Sequence, residues 1–268
     1  MILVIVGLLL LGLCFGSFVN ALVWRLHEKK SMVNDRSECP HCHHKLAVAD
    51  LVPLFSWLYL KGKCRYCKKP IEDSPIVEAV MPLLFVGSYL LWADAIITWF
   101  DWVNFGTWLA YIVGLVALFV YDLKWYILPD KIIWPLIGFA VVNALVQFFT
   151  WQPYGPALDT LLFYSYGLLP IAGVYWLIYT FSKGQLVGFG DVKLGIFIGL
   201  ALGWQNAFLT FLVANVLGTL VVLPLLFAGK LQRKSRVPFG PFLIVGFFIA
   251  GLYGDRIVSW YLSLGTGL

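Results

Sequence analysis

Eight long apolar stretches alternate with shorter polar ones along the chain, at residues 2–24, 77–100, 106–121, 132–150, 158–181, 191–204, 206–229 and 238–262. Crossing the hydrocarbon of a bilayer takes roughly 20 helical residues, and most of these stretches reach or approach that length. Lipid offers no partner to an unpaired backbone N–H or C=O, so each predicted span is an α-helix. The sixth stretch is the shortest and meets the seventh near Gly203 to Asn206. One segment breaks the alternation: residues 25–76 are polar and rich in Cys, His, Lys and Pro. The pattern predicts an all-α, polytopic membrane helical bundle of about eight transmembrane helices with a small extramembrane insertion. Its parts are a first transmembrane helix over 1–24, the insertion over 25–76 and a transmembrane domain over 77–268.

Composition agrees with a bilayer setting. The chain is 61% hydrophobic and 12% charged, against about half and a quarter in soluble domains. The first stretch is read as retained, because it is long for a signal-peptide core, no basic residue precedes it and no small-residue cleavage site follows.

Charge placement sets the predicted orientation, since Lys and Arg near span ends stay in the cytosol. Ten basic residues lie between Arg25 and Lys69. Lys124 and Lys131 flank the next loop of the same side, Lys183 and Lys193 another, and Lys230, Arg233, Lys234 and Arg236 a fourth. The alternate loops, 94–105 and 150–157, carry no Lys or Arg. An eight-span chain with both termini outside and the insertion in the cytosol satisfies the rule at each of these loops. The formal charge of +5 is thus a topology signal, and nucleic acid is not an expected partner because the charges scatter among membrane loops.

Two constellations carry chemistry. The first is Cys39-Pro-His-Cys42 followed, after 21 residues, by Cys64-Arg-Tyr-Cys67. Two C-x-x-C pairs read as a four-thiolate zinc site, each pair forming a knuckle whose sulfurs reach one tetrahedral ion. A segment of about fifty residues buries little core, so the zinc is expected to be a structural staple. His41, His43 and His44 are expected as solvated loop residues, and Cys14, inside the first span, as a packing residue.

The second constellation is a pair of acids. Asp122 ends the third span, and Asp191 opens the sixth within Gly188-Phe-Gly-Asp191-Val-Lys193. Ionisable groups at a bilayer boundary are costly and usually functional. Two carboxyl groups brought together act as base and acid on one water, the logic of aspartic proteases. The glycines before Asp191 leave room for an extended substrate strand. Alternatively, Asp191 is a first-turn acid favoured by the helix dipole, and Asp122 a juxtamembrane acid paired with Lys124. Asp130, after Pro129, is expected as the N-cap of the fourth span.

In this order, the motifs make the chain resemble the type IV prepilin leader peptidases, membrane aspartyl proteases of the GxGD class. The resemblance rests on Phe15-Gly-Ser-Phe-Val-Asn20 with Arg25, the paired cysteine knuckles, Pro53-Leu-Phe-Ser-Trp57, Ser74-Pro-Ile-Val-Glu78-Ala, Asp122 with Leu128-Pro-Asp130, Gly188-Phe-Gly-Asp191-Val-Lys-Leu and Pro238-Phe-Gly-Pro-Phe242. It implies an inner-membrane enzyme that cuts prepilins and pseudopilins on the cytosolic side, with Asp122 and Asp191 as the catalytic pair. It also implies methylation of the new N-terminal amine by S-adenosylmethionine, an activity associated with residues 25–76, for which Glu78 is a candidate. Phe189 departs from the pattern, where a small residue is commoner. Two rivals remain: a presenilin-like enzyme that cuts within transmembrane helices, and a non-enzymatic zinc-binding scaffold or transporter.

Overall fold

The structure, a computed structural model, describes residues 1–31, 37–71, 75–92, 96–151, 157–230 and 237–266 of the 268-residue chain. Helices carry it: α1 (Ile2–His27), α2 (Phe55–Tyr59), α3 (Ile76–Leu91), α4 (Trp99–Trp125), α5 (Asp130–Trp151), α6 (Ala157–Gly167), α7 (Val174–Ser182), α8 (Phe189–Phe227) and α9 (Gly240–Thr266). Among the described residues, six helical stretches are long and apolar enough to cross a membrane: α1, α4, α5, the continuous α6–α7 run, α8 and α9. The shorter α3 is also apolar. The chain is a multi-pass membrane protein.

Helix α8 is 39 residues long, about 58 Å at 1.5 Å per residue, nearly twice the hydrocarbon thickness. It is two segments joined at Gly203, where φ is 72° and ψ is −179°. A side chain there would be strained and would also run into the Phe163 ring. The predicted junction of the sixth and seventh spans falls at this glycine. Between α6 and α7 the chain widens into a π turn over Leu169–Gly173, around Pro170, which has no N–H to give to a regular helix.

Two predicted boundaries are corrected. The second span, expected over 77–100, ends at Leu91, and the third, expected over 106–121, runs from Trp99 to Trp125. The cause is a reciprocal cap: Thr98 Oγ1 accepts from the Asp101 N–H at 3.2 Å, while Asp101 accepts from the Thr98 N–H at 2.7 Å. Such a box starts a helix where hydropathy alone shows no boundary. Cys14 is also exposed on α1, facing outward where packing was expected. Arg233, Lys234, Arg236, Ser74 and most of the loop 150–157 lie outside the described residues.

The chain divides within α4 into two compact units, Met1–Ala117 and Leu118–Leu268. In the first, α1 runs along α3 with Gly12 and Gly16 at the contact. A Cβ on Gly16 would sit 2.6 Å from the Glu78 Cα. Val19, Val23, Met81 and Phe85 fill the space around them, and the Trp108 indole donates to Ser88 Oγ at 3.0 Å.

In the second unit α8 is the hub, packing against α5, α6, α7 and α9. Small residues set the spacing, as they do between helices in lipid. A Cβ on Gly167 would lie 2.6 Å from the Gly199 carbonyl oxygen, one on Gly195 2.7 Å from the Ala172 nitrogen, and one on Gly246 2.8 Å from the Thr210 oxygen. Replacement Gly199→Leu is expected to force α6 from α8 and destabilise the second unit by about 1–3 kcal/mol, the usual cost of overpacking. Thermal unfolding in detergent, with Gly7→Leu at an open position as control, checks this.

Candidate active site and metal centre

Asp122 lies one turn before the end of α4 and is 6% exposed. After it the chain turns sharply: the Tyr126 N–H donates back to the Asp122 carbonyl at 2.8 Å, and Tyr126 takes a φ of 57°. Opposite stands the first residue of α9. A Cβ on Gly240 would lie 2.6 Å from Asp122 Oδ2, so the absent side chain is what lets the carboxylate in. The Gly240 N–H donates to that carboxylate. The first four N–H groups of a helix have no partner within it, and the positive end of the helix dipole suits an anion.

Asp191, partly buried, opens α8. Its N–H donates to the Gly188 carbonyl at 3.1 Å, and its Oδ2 lies 3.6 Å from where a Gly188 Cβ would be. Asp122 and Asp191 stand within electrostatic reach of each other. The fold thus brings together two acids separated by 68 intervening residues.

Leu128 is the wedge between their supports. A Cβ on Gly190 would approach the Leu128 Cβ to 3.1 Å, and one on Gly240 would approach its Cδ2 to 3.4 Å. The glycine on either side of the acids therefore makes room for the same buried leucine.

Asp130 does not cap α5 as expected. Pro129 supplies the carbonyl that accepts the first helical N–H groups, from Ile132 and Ile133. Asp130 stands one residue further in, and its Oδ1 accepts from Lys193 Nζ at 2.5 Å. Lys193 is mostly buried and lies 5.1 Å from the Phe189 ring centre and 5.6 Å from that of Trp134. The unusual Phe189 thus contributes an aromatic face to an ammonium group.

Tyr175, which sequence reading passed over, also belongs to this corner. Its ring packs edge-on against Phe239 at 5.7 Å, and its buried hydroxyl lies within electrostatic reach of Asp191. Nothing in its local sequence marks it, because only the packing of α7 on α8 and against Phe239, just before α9, brings it there.

The four cysteines converge as the spacing predicts. One sulfur from each of Cys39, Cys42, Cys64 and Cys67 lies within 4.8 Å of all the others, and Cys39 and Cys67 are 3.9 Å apart. Sulfurs each 2.3 Å from a tetrahedral ion are about 3.8 Å apart, so the cluster can hold a metal. Both knuckles fold alike. Cys39 N–H donates to His44 and its carbonyl accepts from His43, while Cys64 N–H donates to Lys69 and its carbonyl accepts from Lys68. Burial works to raise the Cys64 thiol, but the N–H groups of Cys67 and Tyr66 outweigh it and bring it from 9.0 to about 7. At Cys42 the His44 N–H favours the thiolate, yet burial and the neighbouring sulfurs override it and push the thiol up to about 11. Four thiolates this close repel one another unless a cation sits among them.

Asp50 anchors the second knuckle to the chain around Ala47. It accepts from the Ala47 N–H at 3.1 Å, Arg65 Nε at 2.6 Å and the Tyr66 hydroxyl at 3.1 Å. Burial opposes its ionisation, but these three donors prevail and hold the carboxyl below its usual range. His44 is exposed to solvent, as expected, and also stacks on the Tyr66 ring at 3.6 Å. Glu78, at the start of α3, accepts from the Leu54 N–H at 2.7 Å; it belongs to the first unit, whereas Asp122 and Asp191 belong to the second.

Residues 10–92 match the model of the bacterial peptidase A24 N-terminal domain, and residues 109–223 match that of the type IV leader peptidase family. The second match takes in Asp122 and Asp191 but stops short of Gly240. A prepilin leader peptidase/N-methyltransferase of Stutzerimonas stutzeri is 31% identical over 280 residues, covering 95% of this chain and 92% of the relative. Proteins of the same name from Aeromonas hydrophila and Pseudomonas aeruginosa are each 30% identical, with the same coverage. No solved structure matches the chain.

Purified protein is expected to carry one divalent metal ion per chain by elemental mass spectrometry. Cys39→Ser and Cys64→Ser should each release it, whereas Asp50→Asn should retain it and lower only the thermal midpoint.

Proposed function

Because the chain belongs to the type IV leader peptidase family, we propose that it removes the basic leader from prepilins and pseudopilins by aspartyl proteolysis and then methylates the new N-terminal amine. Asp122 and Asp191 are the acting pair. The relatives above bear both activities in their name. The observation that supports the peptidase half best is that Asp122 of α4, held by the N-terminus of α9, and Asp191 of α8 stand within electrostatic reach of each other.

A pair of carboxyl groups sharing one proton divides the work. The ionised member takes a proton from water as that water attacks the scissile carbonyl, and the protonated member supplies one to the departing amine. Gly188 presents no side chain beside Asp191, and an extended backbone has access there, while the space at Gly190 is taken by Leu128. Along α8 and α9 near this corner runs a groove of about 270 Å³ that includes Asn215, Thr219, Phe239 and Phe242. It is suited to the first apolar residues after the cut.

The distribution of Lys and Arg supports a cytosolic position for the acids and the cysteine segment, with both termini outside and the spans in the inner membrane. A basic leader is retained on that same face. Zinc in the four-cysteine site serves as a structural staple for the segment over 25–76, and the methyl donor is S-adenosylmethionine.

Incubating purified enzyme with a model prepilin and S-adenosylmethionine, then weighing the product, tests both halves. Loss of the leader and gain of one methyl mass are expected. Asp122→Asn and Asp191→Asn should each lower cleavage at least about a thousandfold, the scale of losing acid–base catalysis; near-normal cleavage by either would remove that residue from the mechanism. Asp130→Asn should stay within about fivefold of wild type, the factor that an exposed ion pair of about 1 kcal/mol carries.

A further inference from the structure

Helix α2 is inverted relative to a helix that meets water. Ser56, its one small polar residue, lines a cavity of about 190 Å³ under the cysteine knuckles, together with Trp57 and Leu60 and with Ser17, Asn20 and Trp24 of α1. Phe55, Leu58 and Tyr59 recur three and four residues apart and so share one face, and they are 66%, 64% and 79% exposed. Leu51 and Val52, in the turn that leads into the helix, are exposed as well. A helix that is apolar on all sides belongs in a core or in a bilayer, and among the described residues nothing covers this face.

The height of α2 along α1 decides between the two. α1 and α3 run antiparallel in close contact: Gly12 faces Pro82, and a Cβ on Gly16 would lie 2.6 Å from the Glu78 Cα, so Glu78 is level with Gly16. The Leu54 N–H donates to Glu78 at 2.7 Å, which pins the entrance of α2 near that height. Trp24 and Arg25 are the first indole and the first charge of α1, and such residues mark the edge of the hydrocarbon. Gly16 precedes Arg25 by nine helical residues, about 13 Å at 1.5 Å each. α2 thus runs beside the last turns of α1 before that edge, at the depth where acyl chains meet headgroups. Lys61 and Lys63 follow it directly and are exposed, which places cations where lipid phosphates lie.

We propose that α2 is an interfacial anchor for the cysteine-bearing segment. Leu51, Val52, Phe55, Leu58 and Tyr59 enter the acyl–headgroup boundary of the leaflet in which α1 ends, and the ammonium groups of Lys61 and Lys63 meet the phosphates of anionic lipids. The partner of this face is the lipid surface itself, so the segment stands on the bilayer instead of hanging above it. An interfacial helix buries its apolar face about 5–10 Å into the boundary, which agrees with the height that the Leu54–Glu78 bond sets. Tyr59, with an apolar ring and a polar tip, is a residue type that collects at this depth.

Photocrosslinking in nanodiscs that contain phosphatidylglycerol tests the anchor. The full-length chain carries p-benzoylphenylalanine in place of Phe55, Leu58 or Tyr59, and metal content and thermal midpoint establish that each variant is folded. Irradiation is expected to give lipid adducts, read by mass, at all three positions. None is expected at His43, which lies beside Glu38 and, through it, level with Lys30 beyond the end of α1. In discs of zwitterionic lipid alone the yield at Leu58 should fall about fivefold, the factor that about 1 kcal/mol for a lysine near an anionic surface carries. Phe55→Asp combined with Tyr59→Asp should abolish the adduct at Leu58 while the metal is retained. Absence of lipid adducts in the folded chain, adducts to a second copy of the chain in their place, or an undiminished adduct in the double aspartate variant each overturns the anchor. Equal yields in the two kinds of disc overturn the part given to Lys61 and Lys63. None of these readouts uses cleavage or methyl transfer, so the anchor stands or falls apart from the function proposed above.

Discussion

A carboxylate inside a helical membrane bundle must be met by a donor, and at Asp122 the donor is the beginning of another helix. The Gly240 N–H is free to turn to it because nothing in α9 precedes it. Only glycine admits the oxygen so closely. The rest of the corner is arranged around that contact. The turn at Tyr126 returns the chain so that Leu128 fills the gap between Gly190 and Gly240, and the Asp130–Lys193 pair fastens the returning chain to α8. The first turn of α8 then brings Asp191 within electrostatic reach of Asp122.

The extramembrane segment solves a different problem. Its own apolar core is small: among its described residues only Cys39 and Cys64 are buried hydrophobics. Order comes from polar crosslinks, with two matched knuckles, a sulfur cluster and one carboxylate that gathers donors from the second knuckle. Such a device leaves the side chains between the crosslinks available, and the cavity beneath them is lined by those side chains.

Much of this was legible in the order of residues. Apolar runs located the helices because lipid forces each run to satisfy its own backbone. The cysteine spacing located the metal-competent cluster because a knuckle is a local structure. Gly203 was near the expected break because the run was too long for one crossing. What escaped was non-local or carried by a few atoms. The Thr98–Asp101 cap lay hidden within a stretch of high hydropathy. Gly240 and Tyr175 acquire meaning only when distant helices meet. Asp130 looked like a cap by position, yet a lysine 63 residues away claimed its carboxylate.

The seam between α6 and α8, where Gly167 and Gly199 face each other, is closed by main chain against main chain. Side chains at an ordinary helix contact can rotate and admit an acyl tail; between these two glycines there is nothing to rotate. A thinner or thicker bilayer, which helices usually accommodate by tilting, therefore acts on these two as a single plank. The acid at the head of α8 travels with them, its setting insulated from the lipid the cell happens to be making.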